Sequence, residues 1–392
     1  MDYSKVISDV VRGLAPSAIR KYFDFSEIEG KVISLGVGEP DFPTPKAFCD
    51  AAIESINNEE TYYTSNWGSP DLREAVEGYM LDRFGLKYSQ HNEILITVGT
   101  SEAVDLALRS LVNPGDEVII PEPCYVSYVP NVKMVYGTPV YVETKSENKF
   151  KLLADELEKV ITSKSKVLIL PYPSNPTGGV MTREELEPIA EIVKKYDLFV
   201  IADELYSELS YGIRHFSIAA LPDMRERTYV VNGFSKSFAM TGWRVGFLCG
   251  PQELLKETVK IHQYTMLCAP IMAQRAAAKA IRDGIPEMEK MVAIYDQRRR
   301  YLVDRLNKMG LDCFEPEGAF YAFPSIKRTG MTSEDFADTL LHEKNVAVVP
   351  GNGFGPSGEG FIRICYAYSI EEITEALDRI EDFIKDKIKD EQ

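Results

Sequence analysis

Thr228 to Asn232 is β-branched and aromatic, Val245 to Cys249 is apolar, and the polar, small-residue turn between them holds one lysine, Lys236. Lysine is seldom fully buried without a partner. A partly desolvated lysine loses basicity and can act as an amine nucleophile, which is the requirement for forming a Schiff base with a carbonyl. The same side chain with its head in water would be an ordinary loop residue, and this turn alone leaves both readings open.

Other chemistry-bearing residues stand at the ends of expected strands. Gly99-Thr100-Ser101 follows a strand and opens a helix, so backbone N–H groups and hydroxyls there suit a phosphate-sized anion; a plain Ser/Thr cap has the same sequence. Asn175 begins the turn Asn175-Pro176-Thr177-Gly178. Asp203 ends the strand Leu198 to Ala202 and could hold a protonated ring nitrogen through a charge-assisted hydrogen bond. Tyr206 lies a turn later, and Arg244, close behind Lys236, could pair with a phosphate. Arg363 interrupts the apolar strand Phe361-Ile-Arg-Ile-Cys365. A buried guanidinium needs a partner, either a structural carboxylate or a substrate carboxylate gripped by its planar fork.

The elements that must position these groups alternate. Strands at Ile94–Val98, Val118–Ile120, Val140–Val142, Val167–Leu170 and Leu198–Ala202 are interleaved with helices at Ser101–Leu111, around Leu157–Ile161, and from the capping box Thr182-x-x-Glu185. That rhythm predicts an α/β domain with a mostly parallel sheet flanked by helices, in which ligands bind beyond the strand carboxyl ends. Helices are expected at Lys46–Ile56, from Pro70, and at Met291–Met309, with Arg298-Arg299-Arg300 on a solvated face. A short amphipathic piece is expected at 16–25. Strands at Ala319–Phe323, Val346–Val349 and Phe361–Ala367, and a helix capped by Ser369, predict a second, smaller α+β domain. The division expected is 46–284 for the large domain, with 1–45 and 285–392 forming the small one.

With 392 residues, 45% hydrophobic and 27% charged, the composition is that of a globular protein. A net charge of −16 argues against nucleic acid and against an anionic membrane surface as partners. Six scattered cysteines without a C-x-x-C pair read as reduced thiols, and four histidines without i,i+4 pairing give no metal motif. With no signal-peptide pattern at Met1–Lys5 and no apolar run of spanning length, the expected location is cytoplasmic.

Asn175-Pro176-x-Gly178, Asp203-x-x-Tyr206, Ser235-Lys236 with Gly242-x-Arg244-x-Gly246, and Arg363 occur in the order and spacing of the class I/II aminotransferases, the fold-type I pyridoxal-phosphate enzymes. The chain resembles that family from Gly38-Glu39-Pro40-Asp41-Phe42 to its last helix, and looks closest to the branch of aspartate, aromatic and N-acetyl-diaminopimelate aminotransferases. The resemblance implies pyridoxal 5'-phosphate as cofactor, a Schiff base at Lys236, and Asp203 on the pyridine nitrogen. It implies Tyr206 and Asn175 on the ring oxygen, Tyr125 stacked on the ring, and Gly99, Thr100, Ser101, Ser235 and Arg244 around the phosphate, with Tyr63 reaching in from the other subunit of a homodimer. Arg363 would clamp the substrate α-carboxylate, helped by Gly38 and Asn175. The implied reaction moves an amino group from an aromatic or aspartate-like L-amino acid to a 2-oxo acid such as 2-oxoglutarate. One departure is Gly233, where many relatives carry a phosphate-binding serine.

Three other readings compete. Gly353-x-Gly355-x-x-Gly358 matches a dinucleotide fingerprint, but Pro356 interrupts it and a strand follows. A cofactor sensor fused to a transcription factor would need a DNA-binding domain and a different charge. An N-acetyl-diaminopimelate-type aminotransferase, or a C–S β-lyase on the same fold, would share every residue named above. No second arginine can be assigned to a distal substrate carboxylate.

Overall fold

The computed structural model describes residues 1–16, 19, 22, 30–385, 387 and 388. The piece expected at 16–25 lies largely outside them.

A seven-stranded sheet forms the centre. Its spatial order is Ile94–Thr97, Gly246–Cys249, Thr228–Gly233, Phe199–Asp203, Ser165–Leu170, Glu117–Glu122 and Thr138–Glu143. Gly246–Cys249 pairs antiparallel with both of its neighbours, and the remaining pairings are parallel. Parallel strands need covered crossovers, and the helices Thr100–Leu111 and Arg183–Lys195 supply two of them. Thr100–Leu111 turns Val104, Ala107 and Leu108 inward, as its 3.6-residue periodicity requires. Arg183–Lys195 opens with both reciprocal bonds of the capping box at Thr182 and Glu185.

Around the sheet lie two smaller ones. Val349–Pro350, Ile362–Cys365 and Tyr321–Ala322 form an antiparallel three-stranded sheet, and Ile33–Ser34 pairs parallel with Val346–Ala347. One apolar cluster runs from Ile96 and Phe247, through Met288 and Leu302 of the helix Ile285–Lys308, to Phe320, Ile364 and Leu377. The parts are therefore packed on a shared core, to which Ile362, Ile364 and Cys365 of the strand bearing Arg363 contribute.

Several expectations need correction. Helices Tyr128–Met134 and Gln252–Thr265 add to the expected elements, and the small-sheet strands are shorter than the apolar runs that contain them. The arginine triplet is not a solvated face. Arg298 and Arg299 are only 9% and 4% exposed. Arg298 grips Asp41 with two bonds of 2.8 Å and lies over the rings of Phe42 and Tyr295. Arg299 bonds Asp296 and the Pro316 carbonyl. Only Arg300 faces water. The apolar stripe of this helix passes under the first two arginines, and aromatic rings and carboxylates from distant segments, unreadable in a local pattern, complete their environment. The glycines at 353–358 form 3-10 turns ahead of the strand Ile362–Cys365, as expected for a segment that is not a dinucleotide loop.

Candidate active site

The strand Phe199–Asp203 ends on Asp203, which opens into a cavity of about 390 Å³ beyond the carboxyl ends of the sheet. Asp203 Oδ2 accepts the Tyr128 hydroxyl at 2.7 Å, and Oδ1 accepts the Leu205 N–H at 3.3 Å. Burial pushes its carboxyl up, and these two donors oppose the shift. A desolvated carboxylate with two neutral donors is short of a counter-charge, so a cation in the cavity would be held strongly.

Lys236 enters from the turn after Thr228–Gly233. Its Nζ donates to the Gly38 carbonyl at 2.6 Å and lies 5.8 Å from the Phe320 ring centre. Burial, with smaller help from the charges of Arg363 and Arg244, lowers its pKa from 10.5 to about 8. At neutral pH a useful fraction of the amine is therefore unprotonated, as a nucleophile or proton acceptor requires.

Three features meet at the helix start. Thr100 and Ser101 form its first turn and line the cavity, as do Ser235 and Arg244. Gly99 precedes them with φ 79°, and a Cβ there would stand 2.5 Å from Arg244 Nη2. Only glycine permits both that backbone and that approach. The result is a group of N–H donors, hydroxyls and one guanidinium suited to a phosphate-sized anion.

Arg363 is 2% exposed. Its Nη1 donates to Asn175 Oδ1 at 2.9 Å and its Nη2 to the Gly36 carbonyl at 2.5 Å. The guanidinium carbon lies 4.4 Å from the centre of the Tyr321 ring and 4.8 Å from that of Phe354. Its Nε has no hydrogen-bond partner among the described residues, and no described carboxylate pairs with it in an ion pair. Tyr206 donates to or accepts from Tyr321 at 2.9 Å, and the Tyr125 ring meets Tyr128 edge-on with centroids 5.6 Å apart.

The fold thus gathers Gly38, Tyr125, Asn175, Asp203, Tyr206 and Lys236 around one cavity with the anion group and Arg363. Tyr63 stands apart: it is 78% exposed and does not line the cavity. Two residues went unnoticed in the sequence. Tyr128 follows Tyr125 by three residues, a helical spacing that could have flagged a second ring on the same face. Tyr321 sat inside a run that read only as a strand.

The model of the aminotransferase class I and II family matches residues 30–380. The chain belongs to that family and is a transferase of amino groups. Among its relatives, putative aminotransferase YugH of Bacillus subtilis (strain 168) is 52% identical over 96% of this chain and 98% of its own length. The aspartate aminotransferase of Pyrococcus abyssi (strain GE5 / Orsay) is 45% identical, covering 97% and 99%. Of solved structures, an aromatic aminotransferase from Pyrococcus horikoshii OT3 superposes with a TM-score of 0.90 at 43% identity, covering 94% of this chain and 99% of its own. Thermus thermophilus aspartate aminotransferase with maleate gives 0.91 at 33% identity, covering 96% and 99%. The family is generally dependent on pyridoxal phosphate. No helix among the described residues is long and apolar enough to cross a membrane.

Proposed function

We propose that this aminotransferase uses pyridoxal 5'-phosphate, held through Lys236, to pass an amino group from an aromatic or aspartate-like L-amino acid to a 2-oxo acid such as 2-oxoglutarate. The observation that carries the reading is one cavity in which a low-pKa lysine, a desolvated carboxylate and an anion-binding helix start all converge. The residues fit the cofactor group by group. Thr100, Ser101, Ser235 and Arg244 suit its phosphate, and Gly99 makes room for Arg244. Asp203 suits a protonated ring nitrogen, Tyr125 a ring face, and Tyr206 with Asn175 a phenolic oxygen.

When bound, pyridoxal phosphate supplies the electron sink for breaking the bond from the substrate α-carbon to its hydrogen. The chain supplies orientation and proton transfer. Lys236 Nζ would hold the cofactor covalently, then take and return the α-proton, a task matched to a pKa near 8. Asp203 keeps positive charge on the ring nitrogen, with Tyr128 holding the carboxylate in aim. Arg363 orients the substrate through its α-carboxylate, its fork already fixed by Asn175 and Gly36. Tyr321 and Phe354 shield that contact from water, which strengthens it.

The exposed Tyr63 enters this scheme from a second copy of the chain, so the active unit is a homodimer with shared sites. Tyr62, Tyr264 and Met266 are also exposed, at 63%, 85% and 52%, and Asn66 ties the Tyr63 loop to the Leu267 carbonyl. An apolar surface of this kind suits burial between copies.

Borohydride reduction of the yellow protein, followed by peptide mapping, tests the assignment. The label should fall on Lys236, and light scattering of the same preparation should give twice the chain mass of 44.1 kDa. A label on another lysine would sink the assignment, and a monomer with full activity would sink the shared site. A panel of amino donors with 2-oxoglutarate then separates aromatic from acidic preference, and pyruvate released from cysteine conjugates would favour the C–S lyase reading.

A further inference from the structure

Behind the turn Gly99–Ser101 lies a buried acid–base pair that the chemistry above does not use. Glu102 is the third residue of the helix Thr100–Leu111, and its carboxylate folds back to accept the Val98 N–H at 2.5 Å. Its other oxygen lies 2.7 Å from His262 Nδ1, on the helix Gln252–Thr265. His262 is 0% and Glu102 9% exposed, and His262 Nε2 has no hydrogen-bond partner among the described residues.

This arrangement answers two local problems. A helix start needs acceptors for its first N–H groups, usually from the N-cap side chain. Here the N-cap is Gly99, which has no side chain to offer. Glu102 does not take an N–H from the helix itself. It holds the Thr97–Val98 peptide ahead of the N-cap and takes no bond from the first-turn N–H groups of Thr100 and Ser101, two residues that line the cavity. The second problem is charge. A carboxylate at a helix start competes with any incoming anion for the same positive end of the helix. With its proton on Nδ1, His262 donates to Glu102 and gives that carboxylate a partner outside the lining of the cavity.

We propose that Glu102 and His262 are positioning residues for the phosphate end of the cofactor. Glu102 fixes the Thr97–Val98 peptide, and with it the entry to the turn, so that Gly99, Thr100 and Ser101 point their donors at the phosphate, and His262 holds Glu102 in that pose. This rests on the reading of the turn as the phosphate seat. The pair acts on the phosphate alone, so it should leave recognition of the pyridine ring untouched.

The test compares pyridoxal phosphate with pyridoxal, which lacks the phosphate, binding to the full chain freed of cofactor, followed by absorbance. Wild type should favour the phosphorylated form strongly. Glu102→Ala should lower affinity for pyridoxal phosphate tenfold or more while pyridoxal changes less than twofold, and Glu102→Gln, which keeps an acceptor for Val98, should recover most of the loss. Glu102→Asp, too short to reach Val98 and His262 together, should show the same selective loss to a smaller degree and serves if the alanine variant does not fold. His262→Leu should also lose selectivity. Variants that weaken both ligands equally, or that keep the wild-type ratio, overturn the inference and leave a pair that only packs two helices. A wild type without preference for the phosphorylated form would instead overturn the reading of the turn itself.

Discussion

Arg363 and Arg244 line the same cavity from unlike supports. Arg363 sits in the strand Ile362–Cys365, 2% exposed, with two hydrogen bonds and two aromatic rings against it, Tyr321 at 4.4 Å and Phe354 at 4.8 Å. Arg244 is exposed, sits in a left-handed turn with φ 52°, and spends one bond on the Thr241 carbonyl at 3.0 Å. One guanidinium is fixed before any ligand arrives, while the other is steered by the gap that Gly99 leaves. The difference suits ligands of different residence. A substrate that comes and goes in each turnover gains most from a fork whose ordering cost is already met. A group that stays bound can order its own contact once.

The largest effect should come from the fixed arginine. Arg363→Lys keeps the charge and loses the fork, and kcat/KM should fall by roughly one to three decades for amino and oxo acids alike. The cofactor spectrum should hardly change, and an amine without a carboxylate should react nearly as before. If such amines suffered equally, Arg363 would be a structural residue and the contrast with Arg244 would collapse. Arg244→Lys should act on the other side, weakening pyridoxal phosphate about tenfold with little change in kcat/KM at saturating cofactor. A substrate defect with normal cofactor affinity would reverse the assignment of the two residues.

The smallest effect reads both arginines through the lysine they face. In the cofactor-free protein, the rate of reaction with pyridoxal should follow the neutral fraction of Lys236, rising about threefold from pH 7.5 to 8.5 and levelling above, as a pKa near 8 dictates. Burial favours the uncharged amine in the folded state, so this group makes the cofactor-free fold more stable as pH rises from about 8 to 10.5. Both arginines press the pKa down, Arg363 ahead of Arg244. The inflection should therefore move up in Arg363→Gln and by less in Arg244→Gln. A profile that rises without a plateau to pH 10 would mean that Lys236 is an ordinary lysine.

How much of this was legible in the sequence follows from the range of each interaction. The alternation of strands and helices is local, so the sheet and the strand-end positions of Asp203 and the Gly99 turn could be read from spacing. That Arg363 needs a partner followed from its apolar strand, although the partners found are a side-chain amide, a carbonyl and two rings rather than a structural carboxylate. Tyr128 escaped because its role is a bond to Asp203, far along the chain. The Arg298 and Arg299 environments escaped for the same reason: a run of arginines looks like a wet surface until Asp41, Phe42 and Tyr211 are folded against it.

Gly233 stands where the family resemblance leads us to expect a phosphate-binding serine. A Cβ at that position would stand 2.9 Å from the Thr100 methyl, 3.0 Å from the Gly246 Cα and 3.3 Å from the Val245 carbonyl. Positions 100, 233 and 246 lie far apart in the chain yet crowd one small volume, bounded by the Thr100 methyl and by the backbone at 245 and 246. A side chain at 233 can enter only if the Thr100 methyl turns aside and the strand Gly246–Cys249 gives by a few tenths of an ångström at its first residue. The hydroxyl count of the phosphate end is thus limited by how closely two strands and a helix start approach one another.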